Sequence, residues 1–252
     1  MTPFRLATWN CRQGIGRKRH AVERLNADIV VLPECEASPA LKREFGVSFL
    51  WRGDNPAKGL AVVGFNGWRI EPFDPPSDLP WVLPTRVLDP HGEHALDLLA
   101  VWTVERGKSR PNYAGQVAHV IDTWAAELRR GVTGIAGDLN CSLEGPSAKA
   151  HRANFERLEE LGLRSAYHAF NGLEHGAEAA MTLRWIARGR KTLGYHCDFV
   201  FLPQLMINRI TSTVIGSMPD WVESGLSDHC PVVVDVGPRA ATPTVIRQAS
   251  RI

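Results

Sequence analysis

An α+β fold is the class that this sequence predicts, and three observations predict it. Segments with strand and helix periodicity are intermixed, many neighbouring strands read as antiparallel, and the reactive polar residues fall at strand ends. Phe4 to Trp9 alternates and reads as a strand running into Asn10. Arg17 to Ala27 predicts a helix, and Ile29 to Leu32 a short buried strand that ends at Pro33-Glu34. Pro39 to Phe45 suits a short helix. Leu60 to Gly64, Pro84 to Leu88 and Ala95 to Thr103 read as strands. In Ala114 to Arg130, Val117, Val120, Ile121, Trp124 and Leu128 recur at helical spacing and offer one face to a core. Gly134 to Gly137 is a strand ending at Asp138, and His151 to Leu161 a helix closed by Gly162. Tyr195 to Leu202, Arg209 to Ile215 and Pro231 to Val236 complete the strands. With no internal repeat and no long linker, a single domain over 1–237 is expected, followed by a flexible, Ala/Thr/Arg-rich tail at 238–252.

Composition bounds the function without choosing it. Of the 252 residues, 44% are hydrophobic and 22% charged, so a packed core is expected and wholesale disorder is not. A net charge of +2 neither requires nor excludes a nucleic-acid partner, because a local basic patch fits within a near-neutral total. Met1 to Asn10 lacks the basic start and apolar stretch of a signal peptide, and no run is apolar enough to cross a bilayer. Five scattered cysteines without a CxxC pair argue against a disulfide framework or a structural zinc site. The reading is a cytoplasmic protein with no membrane partner; its oligomeric state is not legible.

Five short segments carry the candidate chemistry: Thr8-Trp9-Asn10, Leu32-Pro33-Glu34, Gly137-Asp138-Leu139-Asn140, Asp198-Phe199-Val200-Phe201 and Ser227-Asp228-His229-Cys230-Pro231. Each alone has an ordinary reading, since Gly-Asp-x-Asn makes turns and Asp-His pairs cap strands. In this order, from Trp9 to Val236, they resemble the endonuclease/exonuclease/phosphatase superfamily of exonuclease III-like and DNase I-like metal-dependent phosphohydrolases. The resemblance implies a four-layer α/β/β/α sandwich of two mixed sheets with outer helices. It also implies a Mg²⁺-dependent phosphodiester hydrolase, with Mn²⁺ as a substitute ion, acting as a nuclease on DNA or RNA. A phosphatase or phosphodiesterase acting on a small or lipid-derived phosphoester is the alternative, and a catalytically dead binding module a third reading.

Phosphodiester hydrolysis needs charge neutralisation on the phosphorus oxygens, an activated water and help for the leaving oxygen. Hard Mg²⁺ takes oxygen ligands, and Glu34, at the end of a buried strand, is the best candidate. Asn10 suits orienting a ligand, and Asp228 completing the metal site. By resemblance His229 pairs with Asp198, Asp138 positions or deprotonates the attacking water, and Asn140 binds the phosphate. Tyr113, ahead of the long helix, matches a phosphate contact common in the superfamily, against the plain reading of a packed loop ring. Lys58 is a candidate substrate contact, against that of an exposed turn lysine. Tyr167 to His196 is expected to hold specificity determinants, with Arg188 and Arg190 binding substrate phosphates and Trp185 stacking, against a solvated hairpin whose Trp185 covers the core. The sequence departs from the superfamily at Trp102, where many members carry His. Cys35-Glu36 also replaces the Thr-Lys of exonuclease III-like repair enzymes, so abasic-site repair is not favoured. Each cysteine adjoins a candidate residue. Strand alternation therefore predicts cysteines facing the interior wherever polar neighbours face the cleft.

Overall fold

The computed structural model describes residues 2–73, 77–104, 111–143, 145–186 and 192–238. The first half of the chain runs β1 (Phe4–Thr8), α1 (Arg19–Arg24), β2 (Ile29–Cys35), α2 (Pro39–Phe45), β3 (Phe49–Asn55), β4 (Lys58–Gly64), β5 (Arg69–Pro72), β6 (Val82–Leu88) and β7 (His94–Trp102). The second runs α3 (Tyr113–Arg129), β8 (Thr133–Asp138), α4 (Ala148–Glu160), β9 (Leu163–Ser165), α5 (Ala166–Asn171), β10 (Leu183–Ile186), β11 (Thr192–Tyr195), β12 (Asp198–Pro203), α6 (Gln204–Ile207), β13 (Ile210–Ile215) and β14 (Val232–Val236). A six-stranded sheet has the order β13-β14-β1-β2-β4-β3, a second the order β5-β6-β7-β8-β12-β9, and β10-β11 forms a hairpin. Both large sheets are mixed: β1 is parallel to β2 and β7 to β8, with the remaining pairings antiparallel.

Period-2 patterning assigns the layers, because successive strand side chains point to opposite faces. Leu6, Ile29, Val31, Leu60 and Val62 from the first sheet meet Leu96, Leu98, Ala100, Ala136 and Val200 from the second in a central core. The intervening Ala7, Val30, Leu32, Ala61 and Val63 pack outward on α1, α2 and Trp221. Leu99, Val101 and Ile135 pack outward on Val117, Ile121 and Trp124 of α3 and on Phe155 and Leu158 of α4. The result is the expected four-layer α/β/β/α sandwich.

Several elements differ from expectation. The first helix covers only Arg19–Arg24, preceded by a 3₁₀ turn at Ile15–Arg17, and the chain leaves it through Asn26 at φ 47°. The strand expected over Tyr195 to Leu202 is two strands interrupted at His196-Cys197. β2 continues through Glu34 to Cys35 instead of ending before it. Among the described residues no helix is long and apolar enough to cross a membrane. Of the proposed tail, 239–252 lies outside the described residues.

Candidate active site

Strand direction brings the polar segments to one end of the sandwich. The C-terminal ends of β1 and β2 share an edge with the start of β4 and the approach to β14, since those pairings are antiparallel. In the second sheet the ends of β7 and β8 meet the start of antiparallel β12, with Trp102 opposite Asp138 and Asp138 opposite Asp198. Beyond β1 the chain stays beside β2, Trp9 donating to Val31 O at 3.0 Å and Cys11 to Pro33 O at 3.1 Å. Asn10 is thereby carried alongside the end of β2.

Glu34 is the extra residue of a bulge. Pro33 pairs with Leu60 and Cys35 with Gly59, leaving Glu34 between them at φ 60°. Its carboxylate lies 3.1 Å from Lys58 Nζ, and that ammonium sits 5.2 Å from the centroid of the Trp102 ring. The expected substrate contact Lys58 thus has a carboxylate partner and an aromatic one, and the two sheets are joined across the rim.

At the centre His229 Nδ1 lies 2.8 Å from Asp198 Oδ2, the contact expected from sequence, and its Nε2 lies 3.9 Å from Asp138 Oδ2. Asn10 Nδ2 donates to Asp138 Oδ2 at 2.9 Å, and the backbone N–H of Asn140 donates to Asp138 Oδ1 at 2.9 Å. Asn140 Nδ2 donates to Thr103 O at 2.9 Å. All five side chains except that of Asn140 belong to buried residues. Burial, reinforced by the neighbouring Asp198, pushes the Asp138 carboxyl up to about 7. Burial alone lowers the His229 imidazole. The adjoining Asp198 and Asp138 outweigh it and raise the ring to about 10. The geometry therefore favours an imidazolium at His229 with Asp198 as its counter-ion.

Two hydroxyls whose contribution sequence reasoning missed hold this centre together. Thr182 Oγ1 accepts the backbone N–H groups of Cys197 and Asp198 at 3.0 and 3.1 Å. Ser227 Oγ donates to Asn10 O at 2.7 Å and accepts the His229 N–H at 3.1 Å, tying the first polar segment to the last. Ser227 lies inside a segment already singled out; nothing around Thr182 marks it in the sequence.

The other expected residues lie farther out. Asp228 stands on the partly exposed rim, 3.7 Å from Arg12 Nε. Tyr113 opens α3 and, with Asn140, His151, Leu183, Trp185 and Tyr195, lines a cavity of about 620 Å³ beside the polar centre. Trp185 is 51% exposed, so it does not serve to cover the core. Arg184 pairs with Glu223 at 2.7 Å. Arg188 and Arg190 lie outside the described residues. All five cysteines are free and buried. Cys197 nevertheless departs from the expected orientation: its Sγ lies 3.6 Å from Asp198 Oδ2, inside the polar centre. It falls in the break between β11 and β12, where strand alternation does not apply.

This four-layer sandwich shares its fold with solved structures of nucleases and of a 3′ phosphatase. The structure of NExo, a 3′ phosphatase from Neisseria bound to product DNA hairpin, matches with a TM-score of 0.68 at 20% identity, covering 93% of this chain and 100% of that one. An AP endonuclease from Archaeoglobus fulgidus matches at 0.66 and 18%, over 92% and 98% of the two chains. The AP endonuclease LMAP from Leishmania major matches at 0.68 and 16%, over 94% and 88%. At such identities the likeness is one of fold. No protein-family model and no curated protein matches the chain.

Proposed function

We propose that this protein is a Mg²⁺-dependent phosphodiester hydrolase acting on nucleic acid, DNA or RNA. The observation that carries the reading is the buried Asp198–His229 pair set against Asp138 and Asn140, beside a cavity walled by aromatic rings. Its fold is also that of nucleases and a DNA 3′ phosphatase. Glu34, Asn10 and Asp228 offer oxygen donors for Mg²⁺, with Mn²⁺ as a substitute. Glu34 already accommodates a cation, the Lys58 ammonium, at 3.1 Å, which fits that role. The thiol in the inner cluster makes Asp138, Cys197, Asp198 and His229 a poorer magnesium site. Bound Mg²⁺ would neutralise charge on the phosphate oxygens.

The chain's own groups supply the remainder. Asp138 takes the proton of the attacking water; a carboxyl raised to about 7 is matched to that task near neutrality. His229, held protonated by Asp198, donates from Nε2 to a phosphate oxygen. Asn140 keeps a second amide N–H for the phosphate. Tyr113 reaches the leaving side from the cavity wall, while Lys58, Arg188 and Arg190 contact substrate phosphates. Free, buried thiols suit a reducing compartment such as the cytoplasm.

The net charge of +2 favours a second reading, a phosphatase or phosphodiesterase on a small or lipid-derived phosphoester, because binding to long nucleic acid usually shows a basic footprint. One assay decides between them: hydrolysis of single- and double-stranded DNA, RNA, abasic duplex and a generic phosphodiester with Mg²⁺, using His229→Ala as control. Polymer cleavage that falls steeply with salt is the expected result. Turnover of the small ester alone, indifferent to salt, supports the second reading. No His229-dependent hydrolysis of any substrate overturns both.

A further inference from the structure

A second cluster of ligating side chains lies outside the catalytic centre. His168 belongs to α5, His175 and Glu178 to the connection from α5 to β10, and His196 to the break between β11 and β12. One ring nitrogen each from His168 and His175 and one oxygen of Glu178 all lie within 4.8 Å of one another. His168 Nε2 is 2.7 Å from Glu178 Oε1, while its other nitrogen, Nδ1, is 2.7 Å from Ser165 Oγ. An outer hydrogen bond at one ring nitrogen is how ligating histidines are commonly oriented. The ring centroids of His168 and His175 are 4.0 Å apart, and His175 Nδ1 is buried without a partner.

His196 supplies an independent observation. The residue is only 7% exposed, its Nδ1 is 3.1 Å from Ala180 O, and its Nε2 is buried without a partner. Together with His175 and Glu178 it lines a cavity of about 250 Å³. Two buried ring nitrogens without partners, on residues that line one cavity together with a carboxylate, call for an electrophile, since buried polar atoms are normally satisfied.

We propose that His168, His175 and Glu178 bind a zinc-class divalent cation, with the cavity beside His196 supplying the fourth position. Imidazole nitrogen with carboxylate oxygen is a zinc donor set; tetrahedral donors about 2.0–2.2 Å from an ion stand about 3.3–3.6 Å apart, and the three donors here already lie within 4.8 Å of one another. The missing CxxC pairs argued against structural zinc in the sequence, but that pattern screens for thiolate sites alone.

Such an ion would fasten the α5–β10 connection to the body of the sandwich. That connection leads directly into Leu183 and Trp185 of the substrate cavity. It also leads to the backbone contacts of Arg184 with Asp228 O and of Thr182 O with Cys230 N, at 2.9 and 2.7 Å. The ion's place is therefore structural, behind the cavity wall, and separate from the proposed magnesium donors.

The test loads the purified full chain with Zn²⁺, dialyses it and measures metal by plasma mass spectrometry. The Glu34→Gln background removes the proposed magnesium carboxylate. One zinc per chain is expected, with Co²⁺ substitution giving the visible absorption of tetrahedral coordination. Zinc affinity should fall more than about 100-fold in His175→Ala and Glu178→Gln, and about 10-fold in Ser165→Ala, where only the outer hydrogen bond is lost. Circular dichroism identifies folded variants, and His175→Gln replaces His175→Ala if the latter does not fold. A folded chain that retains no zinc, a Co²⁺ complex without the tetrahedral band, or an affinity unchanged in folded Glu178→Gln overturns the proposal.

Discussion

Asp198 faces His229 across 2.8 Å with both residues buried, so a charge on one side chain is felt more strongly by the other than it would be in water. Asp198→Asn keeps the shape and removes the charge. The imidazole is raised to about 10 largely by its carboxylate neighbours, so the substitution should move its titration down towards neutrality. Proton NMR of the ring across pH checks the direction; a titration unmoved by the change would show that Asp198 does not govern the ring. On the proposed mechanism, turnover should fall by roughly 10²–10⁴, the usual size of a general acid–base contribution. Asp198→Asn and His229→Ala should be far from additive, because the pair acts as a unit. Kinetics of the two single variants and the double variant test this, and additive losses would separate the two roles.

Among the elements, β2 shows how a local irregularity equips a site. A bulge takes Glu34 to φ 60°, a conformation that costs a non-glycine residue roughly 1–2 kcal/mol. Glycine in a strand is ordinarily about 0.5–1 kcal/mol worse than alanine. At position 34 the order should reverse: Glu34→Gly should be about 1 kcal/mol more stable than Glu34→Ala in urea unfolding, with both inactive. If alanine is the more stable, the bulge is not strained. The parallel β7–β8 pairing requires glycine for a different reason, the close approach of two backbones. Gly137 sits at φ 147° with its Cα against the Val101 carbonyl, and an added Cβ would overlap that oxygen. Gly137→Ala should therefore destabilise by at least about 2–3 kcal/mol or prevent folding, measured by the same unfolding experiment. Much of this was legible from patterning. Phe4 to Trp9 carries its alternation in plain view, Ala95 to Thr103 its nearly continuous apolar run, α3 its helical stripe, and the polar segments their order along the chain. What escaped has physical reasons. β3 and β5 are edge strands with exposed residues and little alternation to detect, and β10–β11 packs too few side chains to leave a pattern. The bulge at Glu34 and the break at His196-Cys197 come from pairing with distant strands, which no local window contains. Thr182 supports Asp198 from 16 positions away, a relation that only the folded chain creates.

For the whole molecule, the central layer belongs to both sheets at once: Leu6, Ile29 and Val62 from one interlock with Leu98, Ala136 and Val200 from the other. Neither sheet can shed its partner without exposing that face. Unfolding is expected to be a single transition, with far-UV circular dichroism and tryptophan fluorescence coincident; two separated midpoints would mean that the sheets are independent units. The proposed site bridges both sheets, so it should be lost in the same transition. β14 lies between β13 and β1, and His229 immediately precedes it, so the strand from early in the chain waits for one that comes after every other large-sheet strand. During synthesis Asn10, Glu34, Asp138 and Asp198 all leave the ribosome before His229. Until β14 docks beside β1 the nascent polypeptide lacks the His229–Asp198 pair, and on the proposed function it passes the translating machinery's own RNA as an inert chain. Catalytic competence then arrives as the closing event of assembly, timed by the order of translation.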